Sequence, residues 1–526
     1  MSYTSLGYML FVACCLIFYY IFPKKHRWWV LLAASIGFYA IVCLKYISFV
    51  FVTAASTYAG GRILEAYANK HKAYIKSQKG VWPKEERDLY KAKVSRRKKW
   101  ITAAILLLNF GILGFLKYYN FFADALNVLL NPLGGGLPEL GLFLPLGISF
   151  YTFQSMGYII DIYREKFPAE RNFGKMLLFT SFFPQIVQGP ISFYSDLSGK
   201  LYEGHDISFS NIKQGVLLIT WGFFKKLVIA DRLAATTDML LGGGSLPGWF
   251  VLGGVMLYTV RLYMDFSGGV DVVRGLSRMV GIELPENFHR PFFATSVADY
   301  WRRWHITLGK WFRAYLLYPL TTSWAGIALG RFASKFLGKR TGRAVPSALA
   351  TLLVFLLIGL WHAANWNAVI YGAYFGLVMA LSMLLEPVWK TMRVTLHLPQ
   401  GGFMTPLRIV RTWGLILLAQ YFAFTASPQQ SLALLGQTFA PWSFADCAAQ
   451  MTAVMAPLEW LIAGAGCAAV LAVDELCERK VDVCTRLTRA PIALRWSVLL
   501  ALILVIAVFG MYGTGYNGAD FLYTQF

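Results

Sequence analysis

The stretch Ala348-Leu349-Ala350-Thr351-Leu352-Leu353-Val354-Phe355-Leu356-Leu357-Ile358-Gly359-Leu360 runs for thirteen residues without a charge and ends in Trp361-His362-Ala363-Ala364-Asn365-Trp366. A helix apolar on every side is either the core of a large protein or a membrane span. The rest of the chain decides between these. Comparable runs, scored against about 20 apolar residues per span, lie near residues 5–22, 28–44, 46–64, 101–121, 140–160, 213–230, 247–264, 366–386, 407–425, 457–474 and 494–512. Of the 526 residues 57% are hydrophobic and 14% charged, against about a quarter charged in soluble domains. That charge content does not cover a soluble surface, and it excludes disordered, coiled-coil and collagen-like chains. The expectation is an all-α polytopic membrane protein of about 11–13 transmembrane helices, forming one integral-membrane domain over 1–526.

Two apolar segments, 174–195 and 313–330, contain Pro184, Gly189, Pro190 and Pro319. They read as re-entrant or broken helices, which persist at membrane depth only when packed inside protein. The first run, Leu6 to Phe22, lacks a preceding basic segment and a small-residue cleavage site, so it reads as an uncleaved first span. The seven cysteines show no metal-ligand spacing and read as small packing residues, with no metal site expected.

Charge gives the sidedness. Lys70 to Lys99 holds twelve Lys/Arg against three acids, whereas Phe122 to Leu140 has no Lys or Arg. Basic loops are retained in the cytoplasm, which places the N-terminus outside and Phe122 to Leu140 on the outer face. In a multispan chain, topology and anionic headgroups account for such a loop better than nucleic acid. A bacterial inner (plasma) membrane fits.

Chemistry is sought among polar residues that the bilayer makes expensive. His26, His71, His205 and His397 sit in polar stretches, and His289 follows the turn-rich Pro285-Glu286-Asn287-Phe288. His362 closes an apolar run with no ionisable neighbour in sequence. Burial keeps such an imidazole neutral, the form that takes a proton from a hydroxyl. A histidine bonded to a neighbouring helix's carbonyl is the commoner explanation of a lone buried imidazole. If the helix continues, Asn365 and Trp366 share the face of His362, so that Asn365 is an oxyanion candidate and Trp366 a channel wall; Trp361, next to His362, is a further tunnel candidate. His305 lies in Trp301-Arg302-Arg303-Trp304-His305-Ile306-Thr307-Leu308-Gly309-Lys310-Trp311-Phe312-Arg313. At 100° per residue the aromatic residues and His305 share one face and Arg302, Arg303, Lys310 and Arg313 the other. This predicts an interfacial helix whose Arg302 and Arg303 are suited to meet an anionic donor.

Seven blocks in order resemble the membrane-bound O-acyltransferases, in the branch of the alginate O-acetyltransferase membrane subunit and the teichoic-acid D-alanyl transfer protein. They are Pro145-Leu146-Gly147-Ile148-Ser149-Phe150-Tyr151-Thr152-Phe153-Gln154, Ser181-Phe182-Phe183-Pro184-Gln185, Phe224-Lys225-Lys226, Met264-Asp265-Phe266-Ser267-Gly268 with Asp271, Leu284-Pro285-Glu286-Asn287-Phe288, Trp301-Arg302-Arg303-Trp304-His305 and Gly359-Leu360-Trp361-His362. The blocks define a catalytic core over 100–380, with further transmembrane helices over 390–526. Ala314 stands where the resemblance leads one to expect an aspartate, and Ala363-Ala364 where related sequences often have glycine.

The resemblance implies helices around a central funnel and tunnel, with His362 and His305 as catalytic residues. It implies transfer of an acyl group, acetyl first and D-alanyl as the alternative, from a cytoplasmic thioester to an extracytoplasmic polysaccharide. The donor is acetyl-CoA or an acyl carrier protein, and no cofactor is permanently bound. With no long hydrophilic insertion in the chain, a separate extracytoplasmic acyltransferase or acceptor protein is expected as partner. The competing class is a transporter or channel, which would lean on Asp161, Asp265 and Asp271; Asp265 and Asp271, flanking Gly268-Gly269, otherwise read as structural residues near helix ends.

Overall fold

The computed structural model describes residues 5–242, 248–397, 402–441, 443 and 450–512. Cys447 lies outside these residues, and the other six cysteines are free thiols. The protein is an all-α polytopic membrane protein. Among the described residues six helical stretches are long and apolar enough to cross a bilayer: Lys24–Ser77, Lys84–Leu133, Trp324–His362, Trp366–Leu384, Pro457–Glu478 and Ile492–Phe509. Leu6–Ile21 is apolar but has only 16 residues, and Gly248–Met279 is long, 32 residues, but more polar. Ile492–Phe509 leaves Leu494, Leu500, Leu504 and Val508 half exposed or more. Lipid is the solvent that tolerates such a surface.

The chain forms two compact units, Met1–Asn211 with Leu276–Leu284, and Ile212–Gly275 with Pro285–Phe526. In the first, the helix Lys84–Leu130 has 47 residues, roughly 70 Å at the helical rise and longer than the ~45 Å of a bilayer with its headgroups. Its charged N-terminal part and the end of Ile47–Ser77 are the two arms of the basic hairpin. The apolar parts of these helices are tied by Asn109, whose Nδ2 donates to Ser56 Oγ at 3.0 Å. Segment 174–195 is broken as its prolines predict, into Phe173–Ser181 and the single turn Phe183–Ile186.

In the second unit, Arg313–Leu317 is a π-helical turn and Tyr318–Thr322 stops at Ser323, so this segment too is broken. The helix Trp324–His362 contains non-helical Gly338 at φ 76° and ψ 159°. A left-handed residue here favours glycine, and the chain doubles back, bringing Gly330 against Pro346. The returning arm carries the apolar run to His362 and packs on Trp366–Leu384. A Cβ on Gly359 would strike the carbonyl oxygen of Ala368, and one on Gly372 that of Phe355. Small residues at a membrane helix crossing allow this close approach. Beside it an apolar cluster includes Phe250, Val251, Val255, Tyr258, Tyr421 and Leu434.

One sequence expectation is overturned. Residues 301–313 do not form a continuous interfacial helix. Val297–Arg303 ends, His305 takes left-handed φ 46° and ψ 51°, and Ile306–Phe312 starts anew. Trp304, Leu308, Trp311 and Phe312 are buried in protein. A helical wheel drawn through the break gives a false face. What breaks the helix is a neighbouring segment: Ile306 N–H donates to the Asn287 carbonyl at 3.0 Å, His289 N–H to the Arg303 carbonyl at 2.8 Å, and Phe288 and Trp304 form an antiparallel bridge.

Candidate active site

His362 ends one helix and Asn365 begins the next. Ala363 is extended, so the helix does not continue through Asn365 as the spacing argument assumed. Asn365 is instead the N-cap of Trp366–Leu384, its Oδ1 accepting from Ala368 N–H at 2.8 Å. Asn is among the strongest N-caps, and the cap fixes the amide with its oxygen committed. His362 and Asn365 still meet: both line a chamber of about 90 Å³ walled also by Phe266, Trp301, Trp304 and Tyr371. Among the described residues, no carboxylate and no basic side chain other than His362 lines it.

His305 is 1% exposed. Its ring centroid lies 6.1 Å from that of His362, 5.8 Å from Trp361 and 5.1 Å from Phe266. The two histidines, 57 positions apart in sequence (362 − 305), are therefore one cluster. Burial first, and then the neighbouring His362, push the His305 imidazole well below its ordinary value, so it is neutral at physiological pH. Trp361 is buried, stacking edge-on against His362 at 5.0 Å. Trp366 is 54% exposed and is not among the residues lining the chamber.

Both arginines are engaged with carboxylates. Arg302 is exposed beside Asp299, at 3.3 Å. Arg303 makes a bidentate pair with Glu478, both contacts 3.0 Å, and a third contact with Asp299 at 3.1 Å. Neither lines the chamber or the larger cavity of about 590 Å³ in the same unit. The cations on that larger cavity include Lys225, Arg274, Arg290 and Lys480. Asp265 and Asp271 lie within the long helix Gly248–Met279, not at its ends. Lys226 Nζ contacts Asp265 at 2.6 Å and Asp231 at 2.8 Å, while Lys225 Nζ contacts Asp271 at 2.6 Å and Ser267 at 2.9 Å. Both lysines sit in a π-helical turn, Phe224–Ala230. Two lysines closing an apolar run were the available signal for this network.

Comparison with known proteins decides the affiliation. Over 391 residues, covering 73% of this chain and 69% of the relative, the sequence is 32% identical to a probable alginate O-acetylase of Azotobacter vinelandii. The chain belongs to the membrane-bound O-acyltransferase family. It is also 30% identical to a peptidoglycan O-acetyltransferase of Helicobacter pylori, over 54% of this chain and 55% of that one. A teichoic acid D-alanyltransferase of Bacillus subtilis is 28% identical, over 55% of this chain and 71% of that one. No family model matches the chain. Family membership and the paired histidines make the cluster the candidate site of O-acyl transfer.

Proposed function

We propose that this O-acyltransferase moves an acetyl group from a cytoplasmic thioester, acetyl-CoA or an acyl carrier protein, to a hydroxyl of an extracytoplasmic polysaccharide. The observation that carries the reading is a half-buried His362 on a small, otherwise uncharged chamber with His305 behind it. His362 takes the hydroxyl proton as the oxygen attacks the thioester carbonyl. The tetrahedral intermediate then collapses, the C–S bond breaks, and the thiolate recovers the proton while the ester remains. Asn365, its Oδ1 held by the cap, offers its amide N–H to the oxyanion. The larger cavity has room for the head group of a donor, its cations Lys225, Arg274, Arg290 and Lys480 being interspersed with Asp271, Glu286, Asp474 and Asp482. A D-alanyl group carries an ammonium, and the chamber offers it no carboxylate, which favours acetyl.

In this reading the membrane is a bacterial inner membrane, the N-terminus lies outside, and a separate extracytoplasmic protein receives or passes on the acyl group. The test uses sealed vesicles with the protein oriented by single-cysteine labelling at Asp124 and Ser77. Labelled acetyl-CoA or acetyl-carrier protein is supplied on the Ser77 side, and polysaccharide with periplasmic extract on the other. Labelled ester on the polysaccharide from wild type and none from His362→Ala supports the reading. Equal transfer by both overturns it.

A further inference from the structure

The segment Asn287–His289 does more than break the helix at His305. Asn287 is 1% exposed, and its Oδ1 is a shared acceptor: Thr307 N–H reaches it at 3.1 Å, Thr307 Oγ1 at 2.9 Å and His305 Nδ1 at 3.2 Å. These contacts fix protons. A backbone N–H can only donate, so the Asn287 atom it meets is the oxygen and not the amide nitrogen. An amide oxygen can only accept, so the facing His305 Nδ1 carries the hydrogen. In a neutral imidazole the lone pair then resides on Nε2. Of the ring neighbours of His305, Phe266 and Trp361 are uncharged, and His362 is the one that titrates.

We propose that Asn287 is a positioning residue for acyl transfer: it locks His305 as the Nδ1-protonated tautomer, so that Nε2 is the basic atom of that ring, beside the proposed base His362. The same residue closes the left-handed turn at His305 through its backbone carbonyl, so ring orientation and tautomer are set together. Asn287 also lines the larger cavity, and His362 the chamber. The clamp therefore ties the histidine pair to the wall of the cavity assigned to the donor. Its Nδ2 is buried without a hydrogen-bond partner among the described residues. Leaving a buried donor unpaired is costly, and the triple use of Oδ1 is what the site gains in exchange.

The inference rests on the acyl-transfer reading for its consequence but not for its geometry, and the experiment separates the two. Nitrogen-15 histidine spectra of the full-length protein in lipid, with His305 assigned by difference against His305→Gln, report the tautomer without any turnover. Wild type is expected as the Nδ1–H form. Asn287→Ala is expected to shift His305 towards the Nε2–H form and to lower kcat at least tenfold, with the donor KM changed less than twofold. Asn287→Asp, which keeps an acceptor at the same place, should restore the Nδ1–H form and at least a third of kcat. Thr307→Val removes one donor to the same oxygen and leaves the His305 contact, so the tautomer should persist; this variant reports if Asn287→Ala does not fold. An Nε2–H wild type overturns the proposal, as does an unchanged tautomer in Asn287→Ala or a lost one in Thr307→Val. A tautomer that follows the prediction in a protein without acyl transfer leaves the clamp standing and overturns the functional reading alone.

Discussion

Two polar clusters are buried in the same unit, and they are built on opposite principles. Around Lys226 every charge faces its opposite: Asp231 and Asp265 contact one ammonium, and Lys225 is held by Asp271 and Ser267. Among the described residues, no carboxylate lines the chamber at His362. The neighbours are Phe266, Trp361 and the aromatic walls of the chamber. A buried ion pair that is fully paired is tolerated but has nothing left to offer a substrate. A neutral imidazole on a small open space keeps its basicity for a proton that arrives with the acceptor. Between the two, the histidine cluster is the one proposed for the chemistry.

This contrast fails if the clusters respond alike to mutation. Lys226→Met strands two buried carboxylates and should cost about 3–5 kcal/mol of stability, read as a large loss of folded, detergent-monodisperse protein. Lys226→Met with Asp231→Asn and Asp265→Asn should recover most of it. His362→Ala should do the reverse, losing on the order of 10³-fold in transfer with an unchanged melting temperature. Were His362→Ala to unfold the protein, or the charge-free triple variant to lose transfer while folding normally, the assignment of scaffold and site would be exchanged.

What could be read in advance follows from distance along the chain. The apolar run to His362 is local, and so are the proline-marked breaks and the paired lysines. The aromatic face drawn for 301–313 was wrong because the helix is broken by residues 287–289, and no local periodicity reports a break imposed from elsewhere. Asn287 lay inside a recognised block without a role, since the Oδ1 contact with His305 spans 18 positions. Asn365 could have been read better. An asparagine before a fresh apolar run is an N-cap signature, and it would have ended the helix at His362 and removed Trp366 from the tunnel wall.

Asn365 gives a smaller effect that sharpens the contrast within the site itself. Asn365→Asp keeps an oxygen for Ala368 N–H and adds a charge favourable at a helix N-terminus, so stability should hold. It removes the amide N–H, and transfer should fall about 10²-fold if that group meets the oxyanion. Asn365→Ala should lose both, the cap being worth about 1 kcal/mol. Equal rates for Asn365→Asp and wild type, measured at saturating donor, would restrict Asn365 to capping.

The smallest effect is expected where a charge cluster meets water. At the root of the basic hairpin, Glu165 takes hydrogen bonds from Lys72 and Lys98, which hold its carboxyl below the ordinary range. The sign follows from linkage: a carboxyl depressed in the folded state contributes stability above its unfolded value and loses it as pH falls through the folded one. Yet Glu165 and Lys72 are partly open to solvent, and such pairs are worth less than about 1 kcal/mol. Glu165→Gln should therefore lower the melting temperature slightly at pH 7, less so in high salt, and not at all once the pH is below the folded value of the carboxyl. Transfer should be unaffected. The same three charges thus test the rule drawn from Lys226: if Glu165→Gln destabilised the protein as much as Lys226→Met, burial would not be what separates the clusters, and the scaffold role of the inner network would need another cause.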